Sequence, residues 1–178
     1  GRVAIGDYNQ RLYETSVNAP VSDTLAVRVA GISRKRDGYV PNLAGGPALN
    51  GVSVDAVRGS FLLKPNDDFS LTGIVNYQHD DYSGTSFKNK RFAPAGGTTS
   101  PYTAAQLNRG SDLGIDRELF NANLTAEYKV NDSFTLTSIT GYRKFDAVEE
   151  FDADGTQAYL LEFAEDAQGD HCLLYTSR

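Results

Sequence analysis

Phe69-Ser70-Leu71-Thr72-Gly73-Ile74-Val75-Asn76-Tyr77-Gln78 decides the fold. Its odd positions carry Phe, Leu, Gly, Val and Tyr, and its even positions carry Ser, Thr, Ile, Asn and Gln. A period of two puts alternate side chains on opposite faces of a β-strand. One face is therefore apolar and the other mostly small and polar. Phe120-Asn121-Ala122-Asn123-Leu124-Thr125-Ala126-Glu127-Tyr128-Lys129 repeats the pattern, with Phe120, Ala122, Leu124, Ala126 and Tyr128 on one side. Both runs exceed the ~5–6 residues of a typical globular strand. They match the ~9–11 residues that cross a bilayer obliquely.

The punctuation between such runs recurs. Pro65-Asn66-Asp67-Asp68-Phe69-Ser70-Leu71-Thr72 and Val130-Asn131-Asp132-Ser133-Phe134-Thr135-Leu136-Thr137 are near copies, and Val21-Ser22-Asp23-Thr24-Leu25-Ala26-Val27 is a looser third. Their intervals are unequal, which excludes a solenoid. Asn and Asp suit tight turns because their side chains bond nearby backbone. Long polar segments alternate with these turns, from Lys35 to Gly51 and from His79 to Asp116. Antiparallel strands then put the short connections at one end and the long ones at the other. Strands are expected at Arg2–Tyr8, Leu12–Ala19, Leu25–Lys35, Val52–Lys64, Phe69–Gln78, Leu119–Lys129 and Phe134–Phe145. Tyr77 and Tyr142 follow Phe69 and Phe134 by eight residues on the same face. That span is roughly 26 Å of strand, or about 20 Å of height once tilted, close to the ~25 Å apolar band of a membrane barrel with its two aromatic girdles.

The expected fold class is all-β, an antiparallel up-and-down transmembrane β-barrel fragment of about seven strands. The alternative on alternation alone is a β-sandwich. Composition narrows the function classes. The chain has 178 residues, 17 Lys+Arg against 23 Asp+Glu, and a net charge of −6. That balance sets nucleic-acid binding aside, since phosphate neutralisation dominates such affinity. No apolar run approaches the ~18 residues of a transmembrane helix. The mean hydropathy of −0.40 still permits a barrel, whose two faces average to a polar number. One Cys excludes a disulfide scaffold, and a chain without Met that opens at Gly1 reads as part of a longer protein.

Three stretches carry a resemblance. SVNAPVSDTLAVRVAGISRKRDGYV (Ser16–Val40), VDAVRGSFLLKPNDDFSLTGIVNYQ (Val54–Gln78) and NANLTAEYKVNDSFTLTSITGYRKFD (Asn121–Asp146) resemble successive barrel strands of a TonB-dependent outer-membrane receptor. The resemblance covers nearly everything from Gly1 to about Phe151. It implies a barrel of about 22 strands in a Gram-negative outer membrane, with an N-terminal plug that this sequence lacks. It implies active uptake of a scarce ligand such as a ferric siderophore, with energy coming from the TonB complex through the plug. Partners would be outer-membrane lipid, lipopolysaccharide and the small ligand. In that family's orientation Asn66-Asp67 and Asn131-Asp132 face the periplasm. Residues 1–165 are the partial barrel domain. His171-Cys172-Leu173-Leu174-Tyr175-Thr176-Ser177-Arg178 resembles translated adaptor sequence, so residues 166–178 are read as a non-native tail. The alternatives are a secreted or periplasmic β-sandwich module binding carbohydrate or protein, and a porin-type barrel.

Chemical constellations are sparse. Glu150-Phe151-Asp152-Ala153-Asp154-Gly155 is similar in spacing to a calcium loop, but Leu161 stands where its bidentate Glu belongs and Glu162 comes one place late. The stretch reads as a solvated acidic loop. His79-Asp80-Asp81 lacks the further ligands of a zinc site and reads as a strand leaving the membrane. Asn123-Leu124-Thr125 and Asn131-Asp132-Ser133 match the glycosylation sequon by chance. Arg34-Lys35-Arg36 reads as a solvated rim, the alternative being contact with anionic lipopolysaccharide or an anionic ligand. Glu149-Glu150 has no partner base, and no enzymatic motif is present. The sequence assigns no catalytic, cofactor-binding or metal-binding residue, and leaves ligand-binding residues unassigned. Ser70, Thr72, Asn76, Asn121, Asn123, Thr125 and Thr135 are expected on the lumen face, and Leu71, Val75, Leu124, Ala126 and Leu136 on the lipid face.

Overall fold

The computed structural model describes residues 1–94, 96–100, 103–108 and 113–177. Its strands are β1 (Arg2–Gly6), β2 (Gln10–Ser22), β3 (Leu25–Arg36), β4 (Val52–Leu63), β5 (Phe69–Ser83), β6 (Gly114–Asn131), β7 (Phe134–Asp152) and β8 (Glu162–Ser177). They form one antiparallel sheet in sequential order, β1 to β8, with β1 and β8 at its two edges. The chain is therefore all-β, an up-and-down meander that is not closed into a barrel. No helix among the described residues is long and apolar enough to cross a membrane.

The short turns fall where the Asn/Asp motifs place them. Asn66 Oδ1 accepts from Asp68 N and Phe69 N at 3.1 and 2.9 Å. Asn131 Oδ1 accepts from Ser133 N at 2.9 Å, and Ser22 Oγ from Thr24 N at 3.3 Å. In each turn a side-chain acceptor stands in for a missing backbone partner. These turns share one end of the sheet, and residues 37–51, 84–113 and 153–161 connect strands at the other. The turn between β1 and β2 sits at that long-loop end but is short. Three residues, Asp7, Tyr8 and Asn9, connect the strands, and Tyr8 and Asn9 both have φ of 56°, the left-handed region that tight turns use.

Two features differ from the sequence reading. First, β5, β6 and β7 run further than expected, so the segment expected as loop from His79 to Asp116 shrinks to residues 84–113 and Glu150–Asp152 belongs to β7. Backbone pairing does not require an apolar face. The polar extensions are held by cross-strand partners, His79 with Asp116 and Asp80 with Arg117. Second, the described residues form eight strands rather than about seven. The eighth includes residues 166–177, which the sequence reading sets outside the fold. It pairs with β7 from Asp152↔Glu162 to Thr137↔Ser177, although Leu173, Leu174 and Tyr175 do not alternate and all stay exposed.

Among the described residues the buried apolar cluster lies in the loops, and Leu12 of β2 is the one buried apolar side chain on the sheet. Val40, Leu49, Ala105 and Leu107 are fully buried and pack with Leu113. Asn42 joins the two loops that carry them. Its Oδ1 accepts from Leu107 N at 2.9 Å and its Nδ2 donates to Leu107 O at 3.3 Å, as a strand neighbour would. Leu43 N donates to Ala105 O at 2.6 Å and Ala105 N to Pro41 O at 2.8 Å.

Candidate membrane-spanning wall

The strand register sorts the side chains into rows. Directly opposed residues share a face, so each row can be followed across the sheet. The lowest apolar row is Phe69, Tyr128 and Leu136. Above it come Leu25, Leu63, Leu71 and Ala126, then Val27, Phe61, Gly73 and Leu124. The next holds Val17, Val29, Gly59, Val75, Ala122 and Tyr142. The last apolar row is Val57, Tyr77 and Phe120, closed by Lys144, a side chain long enough to lift its ammonium toward water. One step higher the row is Asp55, His79, Glu118 and Asp146. The change from apolar to polar or charged is complete within a single row on β4, β5 and β6.

This face has no partner. Val17, Val29, Val57, Val75 and Leu124 remain 42–64% exposed. All the strands among the described residues belong to one sheet, and none of those residues forms a second sheet over this face. A soluble monomer rarely leaves so large a contiguous apolar surface open to water. Aromatic rings lie at its two borders, Phe69 and Tyr128 below, Tyr77, Phe120 and Tyr142 above. The Phe120 and Tyr142 centroids are 6.1 Å apart. Within the face, the missing Cβ of Gly73 makes room for the Phe61 ring to lie across the strand.

The opposite face is mixed. Ser70, Thr72, Asn76, Asn121, Asn123, Thr125 and Thr135 all fall on it, as the sequence reading expects, and Leu71, Val75, Leu124, Ala126 and Leu136 all fall on the apolar one. Ile32, Leu62, Ile74 and Ile139 also stand on the mixed side. Asp80 is fully buried there. It accepts from Gln78 Nε2 at 2.7 Å and from Arg117 Nε at 2.9 Å, and Arg117 Nη2 also bonds it. Sequence reasoning missed this pair, because a residue facing the charged partner across two strands leaves no local pattern.

The remaining sequence candidates are dispersed or already engaged. Arg34 and Arg36 face the mixed side and Lys35 the other, 3.8 Å from Asp55. Arg36 donates to Asn50 O at 2.7 Å and lies over the Tyr39 ring. The His79-Asp80-Asp81 ligands point to alternate faces. Of the two sequon asparagines, Asn123 is mid-strand in β6 and Asn131 ends it. The carboxylates of Asp152, Asp154 and Glu162 do converge, within 4.8 Å of one another. The buried Asp152 already accepts from Asn108 N, Asp154 N and Gly155 N, and Asn108 Nδ2 donates to Glu162. The cluster closes the β7–β8 connection through those bonds.

Just above the apolar band, His79 Nε2 lies 2.9 Å from Asp116 Oδ1. That hydrogen bond raises the pKa of His79 above its ordinary value. Desolvation opposes the rise, and the charges of Asp116, Glu118 and Asp81 add to it. In the loops, Lys88 Nζ donates to Thr103 Oγ1 at 2.8 Å and Thr98 O at 3.2 Å, and its partial burial lowers its pKa. In comparisons with known proteins, the chain matches no family model and no curated protein.

Proposed function

We propose that the chain is a wall segment of a transmembrane β-barrel, and that the protein it builds is a TonB-dependent outer-membrane receptor for active uptake of a scarce ligand such as a ferric siderophore. The observation that carries the membrane reading is the uncovered apolar face, bounded above by the row Asp55, His79, Glu118, Asp146. Phe69 to Tyr77 spans eight residues on that face, about 20 Å of height at a tilt of ~40°. Short turns at one end and long loops at the other support the same reading. A single sheet speaks against the β-sandwich, which needs two inner faces packed together. The receptor part of the reading rests on the resemblance of Ser16–Val40, Val54–Gln78 and Asn121–Asp146. In this orientation the turns at Asp23, Asn66 and Asp132 face the periplasm, and residues 37–51, 84–113 and 153–161 face outward.

The test is accumulation of labelled ferric siderophores by Gram-negative cells expressing the full-length protein, with and without TonB. Accumulation that requires TonB is the expected result. TonB-independent entry of small solutes favours the porin-type barrel. A protein recovered soluble from the periplasm, with no effect on uptake, overturns the reading in favour of a secreted binding module.

A further inference from the structure

We propose that the apolar side of the sheet carries a seat for one acylated, phosphate-bearing lipid of the outer leaflet. Its acyl chain lies in a hollow floored by Gly31, and its phosphate is held by Arg11 and Lys35.

Tyr13, Gly31, Val57 and Tyr77 line a hollow of about 660 Å³, with Ser33 and Asp55 at its upper rim. That volume is inside the range of ordinary small-molecule sites. The register explains the hollow. Gly31 stands in the row Thr15, Gly31, Val57, Tyr77, and the row above is Val3, Tyr13, Ser33, Asp55. Two tyrosines therefore flank a position that has no side chain. Among the described residues a Cβ on Gly31 would meet only Ala56 O, at 3.7 Å. One row lower, a Cβ on Gly59, which opposes Val29, would meet nothing within 4 Å. The surface is lowered at both places and leads down into the exposed Val29, Val57 and Val75.

The charges above the hollow select the headgroup. The next row up is Ile5, Arg11, Lys35, Ser53. Arg11 and Lys35 are exposed and directly opposed on adjacent strands. Like charges so placed are destabilising, and neither flanking residue of the row is charged. The ion pair of Lys35 with Asp55, at 3.8 Å between exposed side chains, offsets little of this. Arg11 donates to Asn9 Oδ1 through Nε and Nη2 at 3.1 and 2.8 Å, which orients the guanidinium without neutralising it. A phosphate between the two cations removes the repulsion and suits the arginine fork. Further along the same side the sign reverses, where Asp81 opposes Asp116 and Glu118 opposes Asp146. An anionic headgroup is thus favoured above β2 and β3 and disfavoured above β5 to β7. Gly31 to Lys35 is roughly 13 Å of strand, so a headgroup held by the cations lays its chain over the hollow.

β2, β3 and β4 have both strand neighbours in this sheet. This side also points away from the lumen of the proposed barrel, so neither a plug nor further strands would cover the seat. The seat rests on the barrel reading, which supplies the surrounding lipid.

The experiment is native mass spectrometry of the full-length protein, delipidated in dodecyl maltoside and titrated with diphosphoryl lipid A, with circular dichroism as the fold control. Saturable retention of the lipid is expected. Dipalmitoylglycerol, which has chains but no phosphate, and glycerol phosphate, which has no chain, should not be retained. Arg11→Gln and Lys35→Gln should each weaken retention about tenfold, the effect of losing one charge-assisted hydrogen bond. Gly31→Leu fills the hollow from an open position, should weaken retention as much, and serves if a charge variant fails to fold. Lys144→Gln, on the same side but outside the hollow, should leave retention unchanged. A membrane-assembled wild-type protein without saturable retention overturns the seat alone. Equal retention in the Arg11, Lys35 and Gly31 variants, or equal retention of dipalmitoylglycerol, does the same. A protein recovered soluble from the periplasm overturns the seat together with the barrel reading.

Discussion

His79 Nε2 lies 2.9 Å from Asp116 Oδ1, one row above the last apolar residues of the uncovered face. The pair sits beyond the apolar band and is open to water, so its contribution is pH-dependent. The folded state holds the pKa of His79 above 6.5. Stability from the pair is therefore fully present below 6.5 and is lost as pH rises through the higher folded value. Nuclear magnetic resonance titration of the imidazole should give a pKa above 6.5, and Asp116→Asn should bring it down. An unchanged value in that variant would remove Asp116 as the cause.

Asn42 should hold the long loops together. Asn42→Ala leaves Leu107 N and Leu107 O, both bonded by the Asn42 amide, without that partner inside a buried cluster. The cost of unsatisfied buried groups is about 1–3 kcal/mol. It should fall on the loops rather than the sheet. Hydrogen exchange at Leu107 should accelerate while exchange in β5 and β6 stays as it was.

Asp80 and Arg117 should show strong coupling. Arg117→Met leaves a fully buried carboxylate with Gln78 as its remaining side-chain partner. Breaking a buried pair from one side costs about 3–5 kcal/mol, and the partial exposure of Arg117 puts this case toward the lower figure. Asp80→Asn with Arg117→Met should restore much of the loss. Urea unfolding of the single and double variants in detergent micelles measures the coupling, and simple additivity would contradict it.

Much of the sheet was legible because a strand with one apolar face advertises itself by period two. Residues 69–78 and 120–129 show it, and the assigned faces agree across β5, β6 and β7. The strand extensions were not legible. Residues 79–83 and 114–118 carry polar groups on both faces, and only their partners across the ladder explain their pairing. β8 was missed for a related reason, since Leu173-Leu174-Tyr175 breaks alternation while its backbone pairs regardless. The loop core was beyond a local reading altogether. Val40 and Leu107 are brought together by Asn42 across 65 positions, and no periodicity connects them. The Arg11–Lys35 pair emerged only once register was known, because its members come from two strands.

In the proposed barrel wall, adjacent residues of β6 face lipid and water. Leu124 opposes Gly73 and Thr140 on the apolar face, and Asn123 opposes Ile74 and Gly141 on the other. Arginine facing lipid near the midplane costs about 2–4 kcal/mol. The most direct measurement is the amount of folded, membrane-assembled full-length protein after Leu124→Arg and after Asn123→Arg. Leu124→Arg should lose assembly, and Asn123→Arg should keep nearly all of it. Equal assembly of the two variants, or a greater loss for Asn123→Arg, would contradict that assignment of faces.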